Sequence, residues 1–260
     1  MGKMFIFGIG YTASRIARAL EGLGWAVTGT GGGGPLAFDD EAAVRAALST
    51  ATHVLSSVPP ADEVDPVLAR YADLLADRWV AYLSSTGVYG NTRGAWVDES
   101  APVGSGRRAA RAKADAAWLA RGARVFRLPG IYGPGRSPLD RVREGKAHRI
   151  DVPDQVFSRV HVDDIVAGVL AALVSGDGAP PGAYNLADDL PASQNAVIEE
   201  ACRLIGRAPP PLQSLDEAGL SAAARAFYAE NRRVANGKAK RVLGWRPRYP
   251  TYREGLASLM

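Results

Sequence analysis

The residues of this chain that bear on chemistry are a glycine pair near the start and a scatter of hydroxyl, phenol, imidazole and amine groups further on. Gly8-Ile9-Gly10-Tyr11-Thr12-Ala13 forms a G-x-G-x-x-A turn. Before it runs Lys3-Met4-Phe5-Ile6-Phe7, apolar enough for a buried strand. After it, Ile16, Ala17, Ala19, Leu20 and Leu23 recur at helical spacing, and Gly22 and Gly24 end the helix. Gly8 permits the tight turn, Gly10 lets backbone approach a diphosphate, and Ala13 keeps helix close to strand. The N–H groups of Tyr11, Thr12 and Ala13 at the helix start form an anion site. Strand, glycine turn and helix together are the context of a dinucleotide site. The competing reading is an ordinary tight βα turn.

The second strand, Trp25-Ala26-Val27-Thr28-Gly29-Thr30, ends where an adenosine ribose would lie. An NAD-selective site places Asp or Glu there. This chain has Thr30 and then Gly31 to Gly34, with Arg15 the nearest candidate for a 2′-phosphate. The missing acid favours NADP, and NAD stays open. Among proton-bearing groups, Tyr89 and Tyr132 adjoin strand ends, and His161 has a pKa range suited to proton transfer. For all three the competing reading is structural packing or anchoring. Three dispersed histidines and no Cys–His pattern give no metal site.

Strands and helices alternate along the chain. Asp39-Asp40 cap a helix through Leu48; His53-Val54-Leu55-Ser56-Ser57 is a strand ended by Val58-Pro59-Pro60. Apolar spacing predicts helices from about Glu63 to Ala76, Arg107 to Arg121, Asp163 to Val174 and Asp216 to Ala229, and one capped at Ser193-Gln194-Asn195. Trp79 to Leu83 and Arg124 to Leu128 are further strands. Such repeats imply an α/β fold, a Rossmann-type doubly wound parallel sheet, with ligands at the carboxyl ends of its strands. Gly10, Thr30, Ser57, Ser85 and Pro129 all lie at strand ends and are expected to converge.

A chain of 260 residues, 47% hydrophobic and 22% charged, is expected to make one large or two closely joined domains. The single Cys202 excludes an internal disulfide framework. No apolar run reaches membrane-spanning length and no signal peptide precedes Lys3, so a cytoplasmic protein is expected. The net charge of +4 includes small clusters at Arg107-Arg108, Arg232-Arg233 and Lys238, Lys240 and Arg241, expected as solvated faces. No aromatic-basic pattern points to nucleic acid. Oligomeric state is not readable.

A wider resemblance rests on several segments in order: Ser84-Ser85-Thr86-Gly87-Val88-Tyr89-Gly90 with Trp96-Val97-Asp98-Glu99; Arg127 to Gly135; Arg159 to Asp164; Tyr184-Asn185-Leu186-Ala187; and Leu243-Gly244-Trp245-Arg246-Pro247. They resemble the extended short-chain dehydrogenase/reductase family, in its atypical NAD-dependent epimerase/dehydratase-like branch. The resemblance implies that Ser85 bonds a substrate oxygen, Lys113 holds the nicotinamide ribose, and Pro129 packs beside the nicotinamide. It also exposes a departure. Where the family has Tyr-x-x-x-Lys, this chain reads Ala109-Ala110-Arg111-Ala112-Lys113, so the phenol is missing.

The resulting expectation is an NAD(P)-dependent oxidoreductase or epimerase-like enzyme acting on an undefined small molecule. The alternative is a non-catalytic NAD(P)-binding sensor or regulatory protein. Cofactor residues are Gly8, Gly10, Tyr11, Thr12, Ala13, Thr30, Ser57, Val58, Lys113 and Pro129; Ser85 and Lys113 are the catalytic candidates. The nucleotide domain is expected over 1–132 and about 155–175. A small substrate-side lobe is expected over about 133–154 and 176–260, with 133–153 wandering over the cleft. Arg136, Arg141, Arg143 and Arg159 are candidates to meet an anionic substrate there, or else are solvated surface groups.

Overall fold

The computed structural model describes residues 2–61, 64–106, 109–174 and 178–260, apart from the side chains of Ala223 and Ala224. Its first half runs β1 (Lys3–Phe7), α1 (Tyr11–Gly22), β2 (Ala26–Gly29), α2 (Glu41–Thr50), β3 (His53–Ser56), α3 (Pro66–Tyr71), β4 (Trp79–Ser85), β5 (Trp96–Val97), α4 (Ala109–Leu119) and β6 (Arg124–Leu128). The second half runs β7 (Gly130–Tyr132), α5 (Pro138–Arg143), β8 (Arg149–Ile150), β9 (Arg159–His161), α6 (Val162–Val174), β10 (Gly182–Asn185), α7 (Gln194–Ile205), β11 (Leu212–Gln213), α8 (Ala222–Tyr228), β12 (Arg233–Val234), α9 (Gly237–Val242) and α10 (Tyr252–Ala257).

Six strands form one parallel sheet in the order β10-β6-β4-β3-β1-β2. The alternation within β1 shows how the sheet is covered. Met4 and Ile6 pack with Ala13, Ile16, Ala17 and Leu20 of α1 and with α6. Phe5 and Phe7 face the other way, into a cluster with Val44 and Leu48 of α2, Tyr71 of α3 and Trp118 of α4. Period two in the strand and i, i+3, i+4 spacing in the helices thus give the doubly wound layers. The chain steps from β1 to β2 on one side and then to β3 on the other. The crevice at the carboxyl ends of β1 and β3 is therefore the switch point where such sheets bind ligands.

Capping fixes several helix starts. Asp40 accepts from the N–H of Ala43, and Ser193 accepts from that of Ala196. Asp65 takes the N–H groups of Val67 and Leu68, with Pro66 at the first helical position. The helix expected from Glu63 to Ala76 is accordingly shorter: it starts after Asp65 and gives way to a 3₁₀ turn at Ala72–Leu74. The helix expected over Asp216 to Ala229 shrinks to Ala222–Tyr228. Arg107, Arg108 and Glu63, named in the sequence reading, lie outside the described residues.

The segment 133–153 does not simply wander. Ser137 and Asp140 make a capping box with Pro138 at the first turn, and α5 follows. Leu139 and Val142 of α5 then join Val197, Ile198, Ala201 and Cys202 of α7 and Tyr252 and Leu256 of α10 in a separate core. The basic clusters are not simply solvated either. Arg232 donates to the Gly90 carbonyl and pairs with Glu230, and Lys238 donates to the Ala183 carbonyl at 2.8 Å. No described helix is long and apolar enough to cross a membrane.

Candidate functional site

The carboxyl ends of β1, β3, β4 and β6 open into one cleft of about 1080 Å³. Gly8 to Ala13, Gly31, Gly32, Ser57, Val58, Ser85 and Pro129 all line it. Most of the candidate positions are thus brought together. Two are not. Thr30 is buried beneath the glycine turn, where its carbonyl accepts from Gly8 and Ile9 at 3.1 and 2.7 Å. Its neighbours Gly31 and Gly32 take the place at the cleft wall. Lys113 is exposed and does not line the cleft.

The glycine turn has the form a diphosphate needs. Gly8 has φ +81°, and a Cβ there would stand 3.0 Å from Val58 and 3.1 Å from the Ser57 hydroxyl. Ser57 in turn donates to the Gly8 carbonyl, tying β3 to the turn. At Gly10 the nearest atom to an added Cβ is the Gly8 carbonyl oxygen, at 3.9 Å. The space above Gly10 is open cleft. No side chain caps α1, so its first N–H groups look into that space. Arg15 turns elsewhere. It donates to the Pro134 carbonyl at 3.4 Å and lies 5.0 Å from the Tyr11 ring, so it does not line the place of a ribose 2′-phosphate.

At the other end, Ser85 closes β4 and its hydroxyl accepts from the N–H of Gly87 at 3.1 Å. The basic side chain that α4 sends into the cleft is Arg111, which the sequence reading passed over in favour of Lys113. Arg111 donates to the Tyr82 hydroxyl at 2.8 Å. The rotation of α4 follows from Asp115, which is fully buried. Asp115 accepts from Ser84 at 2.7 Å and from two nitrogens of Arg127, at 3.1 and 2.8 Å. Arg111 is four residues before Asp115 and shares its face; Lys113 and Ala109 fall two residues from Arg111, on the far side. The signal was an acid on an otherwise apolar stripe with Ala112 and Trp118. Four positions before Arg111 the chain has Arg107, outside the described residues.

The remaining motif residues hold the frame. Tyr89 donates to Asn185 at 2.8 Å and receives from Arg127 at 3.0 Å; Glu99 accepts from the N–H of Asn185 at 2.7 Å. Burial pushes the Tyr89 phenol up, and it does not line the cleft. His161 is buried between Tyr132 and Tyr249, with Nδ1 accepting from Asp163, and it too lies off the cleft. Burial lowers its pKa. Asp164 accepts from the N–H groups of Arg248 and Tyr249, and Trp245 donates to its carbonyl, so the Arg159–Asp164 and Leu243–Pro247 motifs meet. Burial raises Asp164 to about 6.

Two phenols do line the cleft, Tyr11 and Tyr132. Tyr11 donates to the Pro134 carbonyl at 3.1 Å. The Tyr132 hydroxyl is buried with no partner among the described residues, and burial pushes its pKa far up. Nearby, Asp188 is buried with neither oxygen accepting a hydrogen bond from a described residue; desolvation raises it to about 8. Arg136, Arg141 and Arg159 line the cleft, whereas Arg143 turns away toward Asp140 and Met260. Among the described residues no group of three or more His, Cys, Asp and Glu could hold a metal ion.

No family model matches the chain. A 142-residue stretch is 32% identical to 3-diazoavenalumate denitrifying reductase from Streptomyces sp. It covers 51% of this chain and 45% of that protein, so the chain spans under half the length of that relative. A functionally unknown conserved protein from Silicibacter pomeroyi DSS superimposes with a TM-score of 0.88 and 41% identity, over 100% of this chain and 98% of that one. The dTDP-glucose 4,6-dehydratase of Bacillus anthracis, solved with NAD, gives 0.76 at 15% identity over 98% and 94% of the two chains. Human epimerase family protein SDR39U1, solved with NADPH, gives 0.76 at 16% over 99% and 98%. The chain therefore belongs to the family of the Silicibacter pomeroyi protein, and its fold is that of the extended short-chain dehydrogenase/reductases, the NAD-dependent epimerase/dehydratase group.

Proposed function

We propose that the cleft binds a nicotinamide dinucleotide and that the chain is an NAD(P)-dependent oxidoreductase or epimerase-like enzyme. The observation that carries this reading is the uncapped start of α1 over the open floor at Gly10, facing Ser85 and Arg111 across one cleft. That floor fits a diphosphate, because only hydrogen occupies the space a Cβ would fill. The solved neighbours with NAD and NADPH, and the reductase name of the Streptomyces relative, support it. The lack of an Asp or Glu after Thr30 in the sequence motivates testing NADP first, with NAD as the alternative cofactor.

When bound, the cofactor supplies or accepts a hydride. The chain's own part is to hold the oxygen on which charge then changes. Ser85 brings a hydroxyl to the cleft, and Arg111 brings a fixed positive charge with several donors. A guanidinium stabilises an alkoxide but does not hand over its proton. General acid catalysis typically contributes ~10²–10⁴-fold, so a chain working by charge alone turns over slowly on simple ketones and aldehydes. Titration of the full chain with NADPH and NADH, followed by fluorescence and then by absorbance at a panel of carbonyl compounds, tests both steps. Binding with slow turnover is expected. Absence of binding to either cofactor refutes the reading.

A second reading is a non-catalytic NAD(P)-binding sensor. It is favoured by one observation: neither cleft-lining phenol presents a free hydroxyl, one being donated to Pro134 and the other buried. Tight binding with no turnover across carbonyl and nucleotide-sugar panels selects it.

A further inference from the structure

Resting on the cofactor reading, we infer that the far end of the cleft binds a planar aromatic acid, its ring against Phe157 and Phe227 and its anion at Arg141. Phe157 and Phe227 both line the cleft and stack on one another, with ring centroids 4.0 Å apart and planes inclined by 22°. Tyr228 stands edge-on to both. Phe157 is buried, but Phe227 is 37% exposed, so one face of an aromatic stack is left open in a cavity. Offset stacking on such a face adds to simple area burial and selects flat rings over saturated ones.

The charge left uncommitted at this end is positive. The cleft-lining carboxylates are Asp140 and Glu144. Asp140 is committed to the Ser137 cap, and Glu144 pairs with Lys146 at 2.9 Å. Against them stands Arg141, which no described carboxylate pairs; Arg136 lies over the Tyr11 ring, 5.7 Å from its centroid, at the other end of the cleft. Arg159 is a buried floor, its guanidinium spent on the carbonyls of Phe157, Ala192 and Ser193 and on Gln194. Arg141 is exposed and close to the aromatic group: burial raises the Tyr228 phenol, and the nearby Arg141 and Arg159 charges lower it. An exposed guanidinium beside an open ring face matches a ligand that joins a ring to a carboxylate or phosphate.

The test is equilibrium binding to the full chain, with and without NADPH, using trans-cinnamate, cinnamyl alcohol, cyclohexanecarboxylate, phenyl phosphate and UDP-glucose as probes. Trans-cinnamate is expected to bind at least tenfold tighter than cinnamyl alcohol and severalfold tighter than cyclohexanecarboxylate. Arg141→Gln should remove the first preference and Phe227→Leu the second, while NADPH affinity stays unchanged in both. Phenyl phosphate binding tighter than trans-cinnamate upholds the site and identifies a phosphate as its anion. Equal binding of acid and alcohol, tighter binding of UDP-glucose, or preferences unmoved by both substitutions overturn the inference. Cofactor binding without aromatic-acid binding sinks this inference alone; aromatic-acid binding without cofactor binding sinks the cofactor reading alone.

Discussion

Replacing Gly10 with valine separates the cofactor site from the fold more cleanly than any other substitution. Gly10 has φ −106° and ψ −157°, a backbone conformation open to any residue. Its nearest would-be neighbour, the Gly8 carbonyl oxygen, is 3.9 Å away, so the valine Cβ meets the protein only in ordinary van der Waals contact. The unliganded variant should therefore melt within a few degrees of the parent, and the loss of glycine freedom in the unfolded chain adds ~0.4–1 kcal/mol in its favour. The ligand is another matter, because the isopropyl group stands where the diphosphate must approach. At a ligand concentration of 100 times Kd, the parent gains ~2.7 kcal/mol. At roughly 2–4 °C per kcal/mol for a chain of this size, that is a rise of about 5–10 °C. The variant should show none of it. Gly8→Val is the control: with φ +81° and a contact at 3.0 Å it should melt lower even without ligand. A full ligand-induced rise in folded Gly10→Val refutes the proposed diphosphate position.

Four further outcomes are expected. Arg111→Met should lower kcat/KM by ~10²–10³ with cofactor affinity nearly intact, whereas Lys113→Met should leave kcat/KM unchanged; steady-state kinetics decide between them. Ala109→Tyr adds a phenol at an exposed position off the cleft and should not raise turnover, and a gain in carbonyl reduction would restore the Lys113 alignment. Asp115→Asn leaves Arg127 buried against a neutral amide and should cost ~3–5 kcal/mol, read from denaturant unfolding. Asp188, raised to about 8 by burial, takes up a proton more readily folded than unfolded, so the stability it contributes is present below its ordinary pKa and is lost as pH rises through about 8. The histidines, lowered by burial, add a small opposing rise in both proteins, so the readout is the difference: between pH 6.5 and 8 stability should fall by about 2 kcal/mol more in the parent than in Asp188→Asn.

The sheet was legible because its signal is local. Continuous apolar strands, a glycine turn after the first and caps at Asp40 and Ser193 each act over a few residues. The same locality carried the convergence of Gly10, Ser57, Ser85 and Pro129, which follows from strand ends alone. Failures came where a contact far along the chain decides. Thr30 ends its strand as expected, but its carbonyl is taken by the N–H groups of Gly8 and Ile9, and this draws it under the turn. Arg15 leans to Pro134, a partner 119 residues away. The α5 helix was legible after all, in Ser137, Pro138 and Asp140, but the glycines around it masked the capping signal.

The α4 register shows why the family alignment and the helix face disagree. A motif match counts residues, and by that count Lys113 is the amine to carry over. A helix turns 100° per residue, so two positions reverse the direction a side chain faces. What fixes the rotation is the most costly group to misplace. Asp115 is fully buried, and among the described residues Arg127 and Ser84 are the partners that offset its desolvation. With Asp115 held against β4 and β6, the preceding turn must present Arg111 to the cleft and Lys113 to solvent. Arg127 also donates to Tyr89, which donates to Asn185, so the same charge ties α4 to β4, β6 and β10 at once. Which basic residue of α4 reaches the cleft is thus set by a buried ion pair rather than by the residues that line the cleft. A helix register fixed in this way delivers the Arg111 cation to the cleft with alanine at position 109.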